Sequence, residues 1–184
     1  PDVPIVALTA TADKVTRFDI LNQLNIPDAE VFVGSFDRPN LSLFVRRGLD
    51  SYEKRIAILH FLASHRGEPG IIYCLSKKNA ESVASFLQAH RVEAAVYHAG
   101  LSLLERNRTQ EDFLNDRVQV VCATIAFGMG INKGNVRFVI HYNLPKSIES
   151  YYQEIGRAGR DGAPADTLLF YNVADIVQLT RFAQ

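Results

Sequence analysis

Two stretches of this chain, GIIYC at 70–74 and VQVVCA at 118–123, are apolar almost without a break. A strand with one wet face alternates apolar and polar side chains, so a strand that is apolar throughout has to be covered on both faces. Further β-branched runs at 94–97, 137–141 and 167–171 alternate with segments of helical period at 52–64, 77–90, 103–115, 148–156 and 173–182. That alternation predicts an α/β domain with a central, mainly parallel sheet flanked by helices. Ser76 and Ser102 stand where helix N-caps belong, and Ser102 with Glu105 makes a capping box. Ala80, Val83, Ala84 and Leu87 form the buried stripe expected of the helix at 77–90.

The first forty residues read differently. A strand is predicted at 3–8, a turn at 9–12, a helix at 14–24 and a proline-containing hinge at 36–40. We place a boundary near Gly34, with 1–34 as the tail of a neighbouring domain and 35–184 as a domain of its own. The abrupt ends at Pro1 and Gln184 lead us to expect a piece of a longer protein.

Composition sets limits without naming a function. Apolar residues make up 47% and charged residues 22%, ordinary globular values for 184 residues, so a sizeable core is expected. Net charge is zero, so any contact with nucleic acid must come from a local patch. Cys74 and Cys122 lie far apart inside apolar runs, with no metal-ligand spacing, and read as buried reduced thiols. No apolar run reaches membrane length, and no membrane contact is expected.

Three segments carry chemistry. In YYQEIGRAGRDG, 151–162, a helix whose apolar face is Ile148, Tyr151, Tyr152 and Ile155 runs into two glycines, each followed by an arginine. Arg157 and Arg160 present two forks of N–H donors that suit a polyphosphate. Cations favouring the C-terminal dipole of a helix are the alternative. In AFGMGIN, 126–132, Gly128 and Gly130 follow a strand end, the usual place for a ligand in an open α/β sheet. A plain tight turn is the alternative there. Ser76, Lys77 and Lys78 at a helix start, with His98 on the next loop, suit a nucleic-acid backbone. A solvated helix start and a surface histidine would look the same, and the other histidines read as structural or exposed. The chain has no GxxxxGKS/T phosphate loop, so the arginines read as half of a site whose other half lies on another domain.

Taken together, YYQEIGRAGRDG, ATIAFGMGINKGNVRFVIHYNLP, GIIYCLSKKNAE, YHAGL and the opening ALTATA resemble a superfamily 2 helicase of the RecQ type, in that family's order. The resemblance implies a three-layer RecA-like fold, related to the P-loop NTPases. It makes Ala7–Ala12 motif III of a first RecA-like domain and the residues from about Gly34 onward the second RecA-like domain, with motifs IV to VI. It implies Arg160 as the arginine finger on ATP held by the first domain, assisted by Arg157 and Gln153. Thr124, Gly128, Gly130 and Asn132 match motif V, which couples nucleotide to DNA. At Asn132 many relatives carry Asp; the amide keeps the hydrogen bonding and lacks the charge. Ser76, Lys77 and His98 fall beside the single-stranded DNA track, with Thr124 at the same strand edge, while Thr9 and Thr11 would relay between the domains.

The same resemblance implies ATP and Mg²⁺ held mainly by the first domain, and zinc in a segment outside this chain. It implies single-stranded and duplex DNA as partners, 3′ to 5′ translocation in repair and recombination, and a bacterial cytoplasmic or eukaryotic nuclear location. An isolated fragment is expected to be inactive. An RNA helicase core and a non-catalytic nucleic-acid-binding module are the competing expectations.

Overall fold

A computed structural model of the chain describes residues 3–9, 12–34, 37–124, 127, 131–172 and 175. It divides into two compact units, Pro1–Arg38 and Pro39–Gln184.

In the first unit, helix α1, Lys14–Gln23, starts at Asp13, whose carboxylate accepts from the Thr16 amide at 2.7 Å. That bond holds the Asp13 carboxyl below its usual range. The strand predicted at 3–8 does not form within 3–9. A strand needs a neighbour to satisfy its backbone, and no other strand is present among the described residues of this unit. α1 buries no residue, so the unit has no core for such a strand to pack on.

The second unit contains, in chain order, β1 (Leu41–Arg47), α2 (Ser51–Ala63), β2 (Gly70–Tyr73), α3 (Lys77–Ala89), β3 (Ala94–Tyr97), α4 (Leu103–Leu114), β4 (Val120–Ala123), β5 (Phe138–His141), α5 (Ile148–Ile155) and β6 (Ala165–Tyr171). Among the described residues these strands make one sheet, ordered β1-β6-β5-β2-β4-β3, and every neighbouring pair is parallel. The expected parallel α/β architecture is therefore present. β1 was not anticipated. Its residues beyond Leu41 are exposed, so LSLFVRR lacks the apolar run that marks the central strands. The helix predicted at 173–182 lies outside the described residues except for Asp175.

The double-sided burial read from the apolar runs is the basis of the core. β2, β4 and β5 are buried along their whole length. Ile72, Cys74, Val120, Cys122, Phe138 and Ile140 face α2 and α3, where Ile58, Leu62, Val83 and Leu87 complete one cluster. Ile71, Tyr73, Val121, Ala123 and Val139 face the other way, against Phe113 of α4 and Ile155 of α5. Side chains two apart thus share a face, as the pleat requires. Cys74 and Cys122 are buried and unbridged, and burial pushes both thiols far up.

Register aligns the carboxyl ends of the strands. Tyr97 of β3 pairs with Ala123 of β4, which pairs with Tyr73 of β2, which pairs with His141 of β5. Because β2 lies between β4 and β5, the chain leaving β4 must pass over the end of β2 to reach β5. Crevices of this kind, where the strand order reverses, are where open α/β sheets bind ligands.

Gly70 opens β2 where a Cβ would collide with the Phe138 ring, which is itself fully buried. Gly70→Ala should therefore destabilise the domain by about 1–3 kcal/mol, the usual size for overpacking, read as a lower denaturant midpoint. Both cysteines should resist iodoacetamide in the native state and react fully in denaturant, as mass spectrometry would report.

Candidate functional site at the carboxyl edge of the sheet

The arginine segment is placed by α5 and the turn after it. α5 begins at Ser147, whose hydroxyl accepts from the Ser150 amide at 3.1 Å, and ends at Gly156. Its second turn enters the core: Ile155 and Glu154 are buried and Tyr151 and Tyr152 half-buried, whereas Ile148 is 71% exposed. The apolar face predicted from Ile148 onward is thus used only from Tyr151, because the first turn of the helix has no core beside it.

Beyond Gly156 the chain turns sharply at Gly159, at φ 57°, in the left-handed region. A Cβ there would strike the Asn40 amide group and the Ala163 carbonyl. Asn40 Nδ2 donates to the Gly159 and Ala163 carbonyls, both at 2.9 Å, and the Gly159 amide donates to the Val136 carbonyl at 2.8 Å. Arg137, at the entry to β5, secures the far side of the turn. Its guanidinium donates to both Asp161 oxygens, at 2.6 and 2.7 Å, and to the Pro164 carbonyl at 3.0 Å.

The two predicted arginines have different surroundings. Arg160 is exposed; its Nε donates to the Gly156 carbonyl at 3.3 Å and its Nη1 to the Ile131 carbonyl at 3.2 Å. That second bond brings Arg160 beside Asn132, which is also exposed. Arg157 is half-buried and donates to the phenol oxygen of Tyr73. Gln153 lies exposed on α5. Gly128 and Gly130 lie outside the described residues. Phe127 between Thr124 and this pair is fully buried, and its amide donates to the Thr124 carbonyl at 3.2 Å.

Sequence reasoning missed the side chains that hold these pieces together. His141 and Glu154 are both buried, and His141 Nε2 lies 2.7 Å from the Glu154 carboxylate. Nδ1 of His141 is buried with no hydrogen-bond partner among the described residues, which favours a neutral ring with its proton on Nε2. Tyr73 stacks on His141 at 5.5 Å and donates its hydroxyl to the Phe127 carbonyl at 3.0 Å. Burial raises the Tyr73 phenol well above its ordinary value, with Arg157 pulling against it, so the hydroxyl stays a donor. Lys133 is buried too, its ammonium 2.7 Å from Asp116 and above the Phe113 ring. The register of Tyr73 with His141 and the three-residue spacing of Glu154 and Arg157 were visible signals, but they had no meaning before strand order was known.

The second predicted cluster forms at the other end of the same edge. Ser76 caps α3, accepting from the Asn79 amide at 3.2 Å, and Lys77 is exposed beside it. His98 is buried rather than a surface residue. Its Nδ1 accepts from the Gly100 amide at 3.1 Å and its Nε2 donates to Glu81 at 3.0 Å. A Cβ built on Gly100 would stand 2.9 Å from the Lys77 ammonium, so lysine and loop are adjacent. Thr124, half-buried, bonds the Tyr97 carbonyl through its amide at 3.2 Å. Thr9 is exposed in the first unit, and Thr11 lies outside the described residues.

Among the described residues, no group of three or more His, Cys, Asp or Glu side chains could hold a metal ion. A divalent cation does not fit the residues at this edge, and the chemistry available here is that of arginine, amide and hydroxyl donors. No described helix is long and apolar enough to cross a membrane.

Residues 53–162 match the model of the helicase conserved C-terminal domain. The ATP-dependent DNA helicase RecQ of Haemophilus influenzae is 52% identical over 98% of this chain, which covers 29% of that protein. A putative ATP-dependent RNA helicase of Acanthamoeba polyphaga mimivirus is 47% identical over 99% of the chain, covering 33% of that protein. The chain thus spans a third or less of the length of these relatives. Among solved structures, S. cerevisiae Dbp5 bound to Gle1 and IP6 superposes with a TM-score of 0.77 at 21% identity, over 94% of this chain and 44% of that one, a likeness of fold.

Hydrogen bonding to Arg137 holds the Asp161 carboxyl below its usual range. A depressed carboxyl stabilises the fold above its unfolded value, about 3.9, and loses that contribution as pH falls through the lower folded value. Wild type should therefore exceed Asp161→Asn in denaturant midpoint at pH 7, and the difference should close once pH drops below the ordinary carboxylate range.

Proposed function

This chain belongs to the helicase conserved C-terminal domain family, with RecQ helicases among its relatives, and from that premise we propose that it is the second motor domain of an ATP-dependent 3′ to 5′ DNA helicase. The observation that carries this reading is an exposed Arg160 at the carboxyl edge of a RecA-like sheet, in a chain without a phosphate loop of its own.

Arg160 is the arginine finger. It reaches the terminal phosphate of ATP held by a first RecA-like domain and stabilises the charge that develops as the phosphoryl group transfers. Arg157 and Gln153 assist at the same interface. Thr124, Gly128, Gly130 and Asn132 couple that nucleotide to DNA. The short bond from Arg160 to the residue before Asn132 supports such coupling, since any shift of the loop is felt by the finger. Ser76 and Lys77 supply hydroxyl and ammonium donors to a single-stranded backbone, which needs phosphate contacts rather than base readout. His98, with both ring nitrogens engaged, contributes by shaping the loop beside Lys77. Thr9 and Thr11 relay between the two motor domains, with residues 1–34 belonging to the first. Mg²⁺ sits with ATP on that first domain, zinc lies in a further segment of the whole protein, and repair and recombination of DNA are its setting, in the bacterial cytoplasm or a eukaryotic nucleus.

A second reading, an RNA helicase core, is favoured by the name of the mimiviral relative. Stimulation of ATP hydrolysis in the full-length protein by single-stranded DNA against RNA separates the two. In that protein Arg160→Ala should leave ATP affinity nearly unchanged and cut turnover by about 10³-fold or more, the scale of an arginine finger. Wild-type turnover in that variant would remove the assignment. The isolated chain should show no DNA-stimulated ATP hydrolysis, and measurable turnover would contradict its reading as half of a site.

A further inference from the structure

We propose that Tyr73 is a positioning residue that ties the loop bearing Gly128 and Gly130 to the arginine turn, through a phenol that accepts from Arg157 and donates to the Phe127 carbonyl. The inference rests on the reading of that loop and those arginines as parts of a DNA-coupled ATP site, and goes beyond it by naming what joins them.

A phenol has one proton to give and lone pairs to receive. At Tyr73 both capacities are used in sequence. The guanidinium of Arg157 donates to the phenol oxygen, and the hydroxyl donates onward to Phe127 at 3.0 Å. Each bond in such a chain polarises the next, and more strongly where water is excluded. Water is excluded here: Tyr73 is 4% exposed and Phe127 fully buried. The acceptor also moves as part of a packed unit, because the Phe127 ring meets Tyr97 at 4.7 Å and Phe113 at 5.7 Å.

The other end of the chain is equally constrained. Tyr73 and His141 are register partners at the ends of neighbouring strands and stack at 5.5 Å. His141 holds Glu154, and Tyr73 holds Arg157. Glu154 and Arg157 are three residues apart, so α5 and its turn are gripped at two points one helical turn apart. A displacement of the 124–132 loop on binding a DNA strand is therefore passed by the Tyr73 hydroxyl to Arg157, while the His141–Glu154 pair keeps α5 seated.

The test uses the full-length enzyme and Tyr73→Phe, which keeps the ring in its core position and removes only the relay oxygen. ATP turnover is measured with and without saturating single-stranded DNA, together with KM for ATP and the melting temperature. The ratio of DNA-stimulated to DNA-free kcat should fall about tenfold or more, the size of an ordinary coupling between sites. KM for ATP and the melting temperature should stay at wild-type values. A wild-type stimulation ratio in Tyr73→Phe overturns the relay. So does a lower melting temperature with both rates reduced in the same proportion, the mark of a merely structural residue. Absence of any DNA stimulation in the wild-type enzyme overturns the relay and the proposed function together. Normal wild-type stimulation with an unaffected variant removes the relay alone.

Discussion

Burial of β2, β4 and β5 on both faces is the constraint from which the rest of the second unit follows. A strand with no wet face can satisfy its backbone only through neighbours, and parallel neighbours require crossovers that return along the sheet faces. The helices α2 and α3 cover one face, α4 and α5 the other. Every carboxyl strand end then lies on one edge, and the loops that leave it have no choice but to meet. Tyr97, Ala123, Tyr73 and His141 stand in one row there by register alone.

Polar side chains along that row do two kinds of task. Some hold backbone: Asn40 and Arg137 secure the turn at 159–163, and Lys133 fixes the chain after the glycine loop to the end of α4. Others remain presented outward, Arg160, Asn132, Gln153 and Lys77 among them. Arg157 stands between these groups, half-buried against Tyr73, which is why a buried tyrosine can bear on an outward arginine. Left-handed backbone at Gly159 is needed because Asn40 and the Ala163 carbonyl occupy the space a side chain would take.

Central strands and capped helices were legible from local pattern. The runs at 70–74 and 118–123 have few other stable solutions, and Ser76 and Ser102 cap α3 and α4 as their positions suggested. β1 was not legible, because an exposed edge strand lacks the apolar signature that period analysis detects. The run at 3–8 misled for the converse reason: its residues favour a strand, but strand structure needs a partner that this chain does not supply. His98 was misjudged because burial of a polar ring depends on Glu81 and the Gly100 amide arriving beside it. Ile148 followed the helical period correctly and still lies in solvent, since period defines a face and not what covers it.

By itself the sequence determined the class of fold, the identity of the chemistry-bearing segments and the absence of a phosphate loop. These depend on local propensity, on apolar period and on residue type, all of which act over a few neighbouring positions. Only the tertiary structure decided that Tyr73 and His141 stand side by side, that they hold Arg157 and Glu154 respectively, and that Arg160 alone of the arginine pair is exposed. Those contacts join residues up to 84 positions apart in number, from Tyr73 to Arg157, and are set by strand order and register. Strand order is a global property of packing two helical layers on one sheet, and no local stretch of sequence contains it.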